Sequence, residues 1–279
     1  VGAVSGGLIS ATLLRMPGTP AAVMTTLDGY PMARSGRAGE ALTYALVSST
    51  LGGLIGLLAL VLVAPMLAAA AMEFRSPEFT AVAVFGLVLL AYASPGSTIR
   101  GMMVGGLGLL CGMVGFDSLT DIPRFTFDSP VLEGGIELVP LCVGLFGFAE
   151  VMKNIGTAGR PSTKSVMPAI GRLWPPMKEL LGQWKTMLRG SFIGASVGAI
   201  PAAGSAIAVA IAYAQEMRFS KRPDEFGKGV TEGVVAPESA NSSSIGGTLI
   251  PMMTLGIPGD AITAVLMGSL LIHGLRPGP

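Results

Sequence analysis

The chain has 279 residues, 51% of them apolar and only 13% charged, with a net charge of +1 and a mean hydropathy of +0.66. Soluble domains carry roughly 25% charged residues, so this composition excludes an ordinary soluble globule, and the balanced charge leaves no basic face for nucleic acid. A single histidine, His273, excludes a histidine-based metal cluster or triad, and Cys111 and Cys142, both in apolar runs, read as small core hydrophobes.

In chain order, several apolar stretches approach the roughly 20 residues a helix needs to cross the hydrocarbon core. Val1 to Leu14 is a half-length piece. Ala41 to Ala71 has no charge at all, and Pro65 is placed to bend or end it. Phe79 to Ala93 is short. Thr98 to Gly115 is glycine-rich and carries Arg100 near its start, and Ile136 to Met152 has Glu137 and Glu150 near its ends. Gly190 to Gln215 is interrupted at Ile200-Pro201-Ala202-Ala203-Gly204. Gly246 to Leu275 is interrupted at Gly256-Ile257-Pro258-Gly259-Asp260. The chain opens at Val1 in apolar sequence and closes on Arg276-Pro277-Gly278-Pro279, so it reads as a fragment of a longer protein.

Loop charges orient the spans. Residues 153–189 carry Lys153, Arg160, Lys164, Arg172, Lys178, Lys185 and Arg189 against Glu179 alone. Residues 116–135 carry Asp117, Asp121, Asp128 and Glu133 against Arg124. Short basic loops stay cytoplasmic, which puts 153–189 inside, 116–135 outside, Glu73-Phe74-Arg75 outside and the Arg34/Arg37 turn inside. The stretch 190–215 breaks this alternation, because Arg218, Lys221, Arg222 and Lys228 follow it. A re-entrant hairpin turning near Pro201 to Gly204 returns the chain to the side it left; a kinked span is the alternative. Trp174 and Trp184 suit interfacial anchoring of the basic linker.

The two ends of the chain share an order of motifs. Gly6-Gly7, then Arg15-Met16-Pro17-Gly18, then Leu27-Asp28-Gly29-Tyr30-Pro31 stand at the start. Gly246-Gly247, then Gly256-Ile257-Pro258-Gly259, then Gly274-Leu275-Arg276-Pro277 stand at the end. The spacings differ, so the repeat is weak. Interrupted apolar segments at matching places in two halves are nevertheless the best sequence pointer to a transporter binding site. Their free N–H and C=O groups suit an anion and a cation respectively.

Three strings resemble the large membrane subunit of the tripartite tricarboxylate transporters. They are Leu27-Asp28-Gly29-Tyr30-Pro31-Met32-Ala33-Arg34 with Gly36-Arg37-Ala38; Phe226-Gly227-Lys228-Gly229 through Glu232-Gly233-Val234 to Ala236-Pro237-Glu238-Ser239-Ala240-Asn241; and Leu255-Gly256-Ile257-Pro258-Gly259 with the exit Gly274 to Pro279. Arg124-Phe125-Thr126-Phe127 adds to the likeness, which covers nearly the whole chain. The resemblance implies a sodium-coupled importer of carboxylates in the bacterial inner membrane. It also implies two partners, a small membrane subunit and a periplasmic solute-binding protein, and a further half of the subunit, including a Gly/Pro-rich hairpin arm before Val1. Two positions depart from the family pattern: Pro201-Ala202-Ala203-Gly204 replaces Pro-Gly-x-Gly, and Arg15 replaces an Asn.

The expected fold is therefore an all-α membrane protein, a polytopic helix bundle with broken or re-entrant segments and a weak internal repeat. Residues 1–152 form the first-repeat region, 153–189 a basic cytoplasmic linker, and 190–279 the second-repeat region. Candidate substrate-binding residues are Gly6, Gly7, Arg15, Pro17 and Gly18 at the first break, with Pro258 and Gly259 at the second. Asn241, Ser242, Ser243, Gly246 and Gly247 join them, from a polar stretch read as a helix start whose hydroxyls, amide and free N–H groups suit a carboxylate. A guanidinium at Arg15 suits bidentate carboxylate binding, or snorkels to the interface. Glu238 and Asp260 are cation candidates, with Glu232 on the same grounds, and a capping role competes at Asp260. No cofactor is expected beyond a coupling sodium ion. An intramembrane aspartyl protease is the rival reading, with Asp260 and Asp28 as its acids, and a passive scaffold subunit is the third.

Overall fold

A computed structural model describes residues 2–73, 97–116, 122–136, 170–201 and 203–278, with scattered positions between 75 and 88 and between 140 and 152. Most of the predicted stretches Phe79 to Ala93 and Ile136 to Met152 lie outside the described residues, as do Asp117, Asp121, Cys142, Ala202 and the linker positions 153–169.

The fold is all-α. Helix α1 (Gly2–Leu14) leads through a 3-10 turn (Pro20–Ala22) into α2 (Val23–Met32), and a π turn (Ala33–Arg37) continues into α3 (Ala38–Ala71). At 1.5 Å per residue α3 runs about 50 Å, and Pro65 lies inside it without ending it. Then follow α4 (Thr98–Gly112), the two-residue strands β1 (Gly115–Phe116) and β2 (Pro123–Arg124), and α5 (Pro130–Glu133). Helices α6 (Met177–Gly182), α7 (Trp184–Gly198), α8 (Gly204–Phe219), α9 (Glu232–Leu255) and α10 (Ala261–Ile272) complete the order. Among the described residues one helical stretch, Pro20–Ala71, is long and apolar enough to cross a membrane, and Thr98–Gly112 and Ile262–Ile272 are shorter apolar helices.

Packing divides the chain into two units. One comprises residues 1–72, 162–260 and 278–279; the other comprises 73–161 and 261–277. In the second, β1 and β2 pair antiparallel with Gly115 opposite Arg124.

The first unit is built around α9. Its polar residues are spread round the helix rather than gathered on one face, and it is buried from Gly233 through Ser244. It is clasped between α3 and α7. A Cβ on Gly56 of α3 would stand 2.5 Å from the Ser243 carbonyl, and Gly52 backs onto Ser239 in the same way. On the other side Gly190, Gly194 and Gly198 of α7 meet Ala236, Ala240 and Ser244. These are small-xxx-small contacts, the packing that lets helix backbones approach closely in lipid. Helices α7 and α8 pack against each other as well as against α9, so the segment 190–215 turns back on itself rather than continuing as a kinked span. Their 15 and 16 residues give about 22–24 Å each, less than the ~30 Å hydrocarbon core.

Candidate functional site

The two predicted breaks have one geometry. Helix α1 ends with Arg15 in the left-handed region (φ 56°), and α9 ends with Gly256 there (φ 70°). After each, the next amide reaches back six residues: Met16 N–H donates to the Ser10 carbonyl at 3.2 Å, and Ile257 N–H to that of Pro251 at 3.3 Å. Both are left-handed helix ends, and a Pro-Gly pair follows each at the same distance. Gly18 then stands against Gly7, where a Cβ would lie 2.9 Å from the Gly7 Cα. Gly259 stands against Thr248, where a Cβ would lie 2.9 Å from the Thr248 Cα. The structural partner of Gly7 is thus Thr248 rather than Gly247. The Gly-Gly pairs of the two ends are one residue out of step in the structure.

These contacts assign Gly7, Gly18 and Gly259 to holding the breaks shut. Gly6 is exposed with open space over its Cα. Pro17 is exposed and Pro258 half-buried. Arg15 is exposed, its guanidinium 5.7 Å from the Tyr30 ring centroid. Asp260 and Gly259 lie against the tip of the α7–α8 hairpin, where a Cβ on Gly204 (φ 67°) would sit 3.5 Å from the Asp260 Cβ. The hairpin tip and the second break therefore form one surface. At the hairpin's other end Arg189 Nε and Nη2 donate to Glu216 at 2.9 and 2.6 Å, and Thr186 adds its hydroxyl at 2.9 Å.

The polar stretch 238–244 is not a helix start. It lies in the middle of α9, so its backbone N–H groups are engaged in the helix. Most of its hydroxyls are also committed. Ser239 donates to the Val235 carbonyl at 2.9 Å, Ser243 to that of Ala240 at 3.2 Å, and Ser244 to that of Asn241 at 2.7 Å. Ser242 shares a 2.6 Å hydrogen bond with Ser49 of α3. Gly246 backs onto Gly56 of α3, and Gly247 onto Ala195 and Gly198 of α7, so both are packing glycines here.

Two side chains of the stretch behave differently. Glu238 is wholly buried; its Oε1 accepts the Thr25 hydroxyl at 2.5 Å, while Oε2 has no partner. Asn241, one helical turn on, is 2% exposed and has neither end of its amide satisfied. The Thr12 hydroxyl, buried on α1, is likewise unpartnered. Thr12 and Thr25 flank the first break and meet over Gly29, where a Cβ would lie 3.1 Å from Thr12 Oγ1 and 3.5 Å from Thr25 Cγ2. Native interiors leave few buried polar atoms unsatisfied, so this concentration makes the place a candidate site.

Two other predicted acids are structural. Asp28 is buried and accepts the Tyr213 hydroxyl at 2.8 Å and the N–H groups of Gly227, Gly229 and Val230 at 3.1, 2.8 and 3.0 Å. That tie joins two of the sequence strings singled out above, and it leaves Asp28 no lone pair for a protease dyad. Glu232 pairs with Arg222 at 3.2 Å. Thr12 and Thr25 were missed in the sequence because a lone threonine in an apolar run carries no signal by itself.

Among known proteins, the model of the tripartite tricarboxylate transporter TctA family matches residues 1–279. The chain is 38% identical over 280 residues to an uncharacterized 52.8 kDa protein in the TAR-I ttuC' 3' region of Agrobacterium vitis, covering 100% of this chain and 55% of that protein. It is 41% identical over 86 residues to an uncharacterized protein in the TAR-II ttuC' 3' region of the same organism, covering 31% of this chain and 36% of that protein. The chain thus spans about half the length of the first relative. No solved structure matches.

Proposed function

The chain belongs to the tripartite tricarboxylate transporter TctA family, a family of transporters rather than enzymes, and on that premise we propose that it is the membrane-embedded core of a sodium-coupled importer of tricarboxylates or dicarboxylates. In this reading the complete subunit is a polytopic bundle in the bacterial inner membrane. Regions 1–152 and 190–279 are its two repeats, and 153–189 is a cytoplasmic linker between them. It works with a small membrane subunit and a periplasmic solute-binding protein that delivers the anion.

The observation that supports this reading best is the pair of breaks in one register, each opened by a left-handed residue, at Arg15–Gly18 and Gly256–Gly259. Broken helices at corresponding places in two halves bind substrate in secondary transporters, their termini offering N–H groups to a carboxylate and C=O groups to a cation. Arg15, the hairpin tip and the exposed faces of the Pro-Gly turns are the groups within reach of an anion at the surface. Asn241, with a free amide, is the donor within the core. The acidic outer loop, with Asp128 and Glu133 among its charges, repels a polyanion, which favours delivery by a separate protein. A passive scaffold would have no use for two matched breaks.

The test is a thermal-stabilisation screen of the complete subunit with mono-, di- and tricarboxylates, with and without sodium. A midpoint raised by a di- or tricarboxylate, and raised further with sodium, is the expected result. Indifference to every carboxylate at millimolar concentration would remove the reading.

A further inference from the structure

We propose that Glu238, Asn241, Thr12 and Thr25 form the binding site for the coupling sodium ion, at the place where α1 and α2, on either side of the first break, meet the centre of α9. The proposal rests on the carboxylate-importer reading and adds to it the address of the ion.

Glu238 is fully buried, and among the described residues no Lys, Arg or His pairs with it. An isolated carboxylate in a low-dielectric interior is strongly disfavoured, so it takes up either a proton or a cation. Among the described residues its partner is the Thr25 hydroxyl on Oε1.

The neighbours distinguish the two. A proton on Oε2 supplies one donor and satisfies one acceptor. Here three buried oxygens lack a partner: Glu238 Oε2, Asn241 Oδ1 and Thr12 Oγ1. A bound cation satisfies all three at once, with Thr25 Oγ1 beside them. Glu238 and Asn241 are three apart on α9 and so project from the same face. Thr12 Oγ1 lies over Gly29 beside the Thr25 methyl, and the Thr25 hydroxyl turns to Glu238. The donor set is entirely oxygen, which suits a hard cation and not a thiophilic metal. One carboxylate and three neutral oxygens carry a single negative charge, which matches a monovalent ion.

The geometry also explains coupling. With Oδ1 turned to the ion, the Asn241 amide has its Nδ2 donors left over, and these are unpartnered too. A substrate carboxylate accepting from Nδ2 would find the amide already fixed by sodium. The ion therefore preorganises the anion site, and by linkage the anion tightens sodium binding by the same factor.

The experiment measures binding of radioactive sodium to the purified complete subunit by scintillation proximity, with choline chloride holding ionic strength. Binding of a labelled tricarboxylate is measured on the same samples. Wild type should bind sodium saturably. Glu238→Gln should lower sodium affinity at least tenfold, and Thr12→Val at least threefold. If Glu238→Gln does not fold, Thr25→Val takes its place with the same threefold expectation. Wild-type sodium affinity in these variants overturns the site. So does a subunit that binds the tricarboxylate with no sodium bound, which leaves the importer reading standing. Sodium bound and weakened by the variants, with no carboxylate bound under any condition, upholds the site and removes the importer reading.

Discussion

The carboxylate of Asp28 accepts the backbone N–H of Gly229 at 2.8 Å, although the two residues are 201 apart in sequence. Gly227, Val230 and Tyr213 complete the set of donors on the same carboxylate. The acid thus fixes the loop that leads into α9 against the end of α2. Gly233 must be glycine, because a Cβ there would collide with the Asp28 side chain.

Asp28→Ala leaves the N–H groups of Gly227, Gly229 and Val230 and the buried Tyr213 phenol without their acceptor. The expected loss of stability is on the order of 3 kcal/mol or more, with α9 displaced and transport lost. A thermal or denaturant midpoint equal to wild type would show that the tie is dispensable.

Arg15 holds a left-handed conformation that its counterpart Gly256 adopts without strain. Arg15→Gly should therefore stabilise the fold, and Gly256→Ala should destabilise it, each by roughly 1 kcal/mol. A strained arginine at a break is retained for function if Arg15→Gly gains stability and loses carboxylate affinity. Arg15→Lys then separates the two roles, because a point charge does not reproduce the bidentate fork. Equal affinity in the Lys variant would assign Arg15 to the membrane interface.

The close approach of α7 to α9 makes Gly194 intolerant. Its Cβ would meet the Ala240 carbonyl and the Ser243 hydroxyl, whereas a Cβ on Gly53 of α3 meets nothing. Gly194→Ala should cost about 1–3 kcal/mol, and Gly53→Ala should be neutral or stabilising by up to about 1 kcal/mol. Melting of the two variants side by side checks the packing, and equal midpoints would contradict it.

Orientation is checked by single cysteines at Ser129 and Ser165 with an impermeant thiol reagent. The asymmetry between residues 116–135 and 153–189 predicts labelling of Ser129→Cys in intact cells and of Ser165→Cys only after the cells are opened. The reverse pattern would invert the topology.

Much of the first unit was legible in the sequence. The interruptions at Arg15–Gly18, Ile200–Gly204 and Gly256–Asp260 announce themselves through Pro and Gly, and each ends a helix. The polar run 238–244 was misplaced for a physical reason. Serines and an asparagine usually cap helices, but here they are small enough for α3 and α7 to close on α9, and most back-bond within their own helix. The repeat's register was also hidden. Gly6-Gly7 and Gly246-Gly247 look alike, while the contact that matters pairs Gly7 with Thr248. Thr12 and Thr25 had no pattern to betray them, because their meaning comes only from Glu238, far away in sequence.

The most direct measurement is uptake of a labelled tricarboxylate into proteoliposomes containing the complete subunit and its small membrane partner, at micromolar substrate with an inward sodium gradient. The account predicts rapid accumulation when the solute-binding protein is added, and little without it or without sodium. Full-rate uptake with neither the binding protein nor sodium would contradict it.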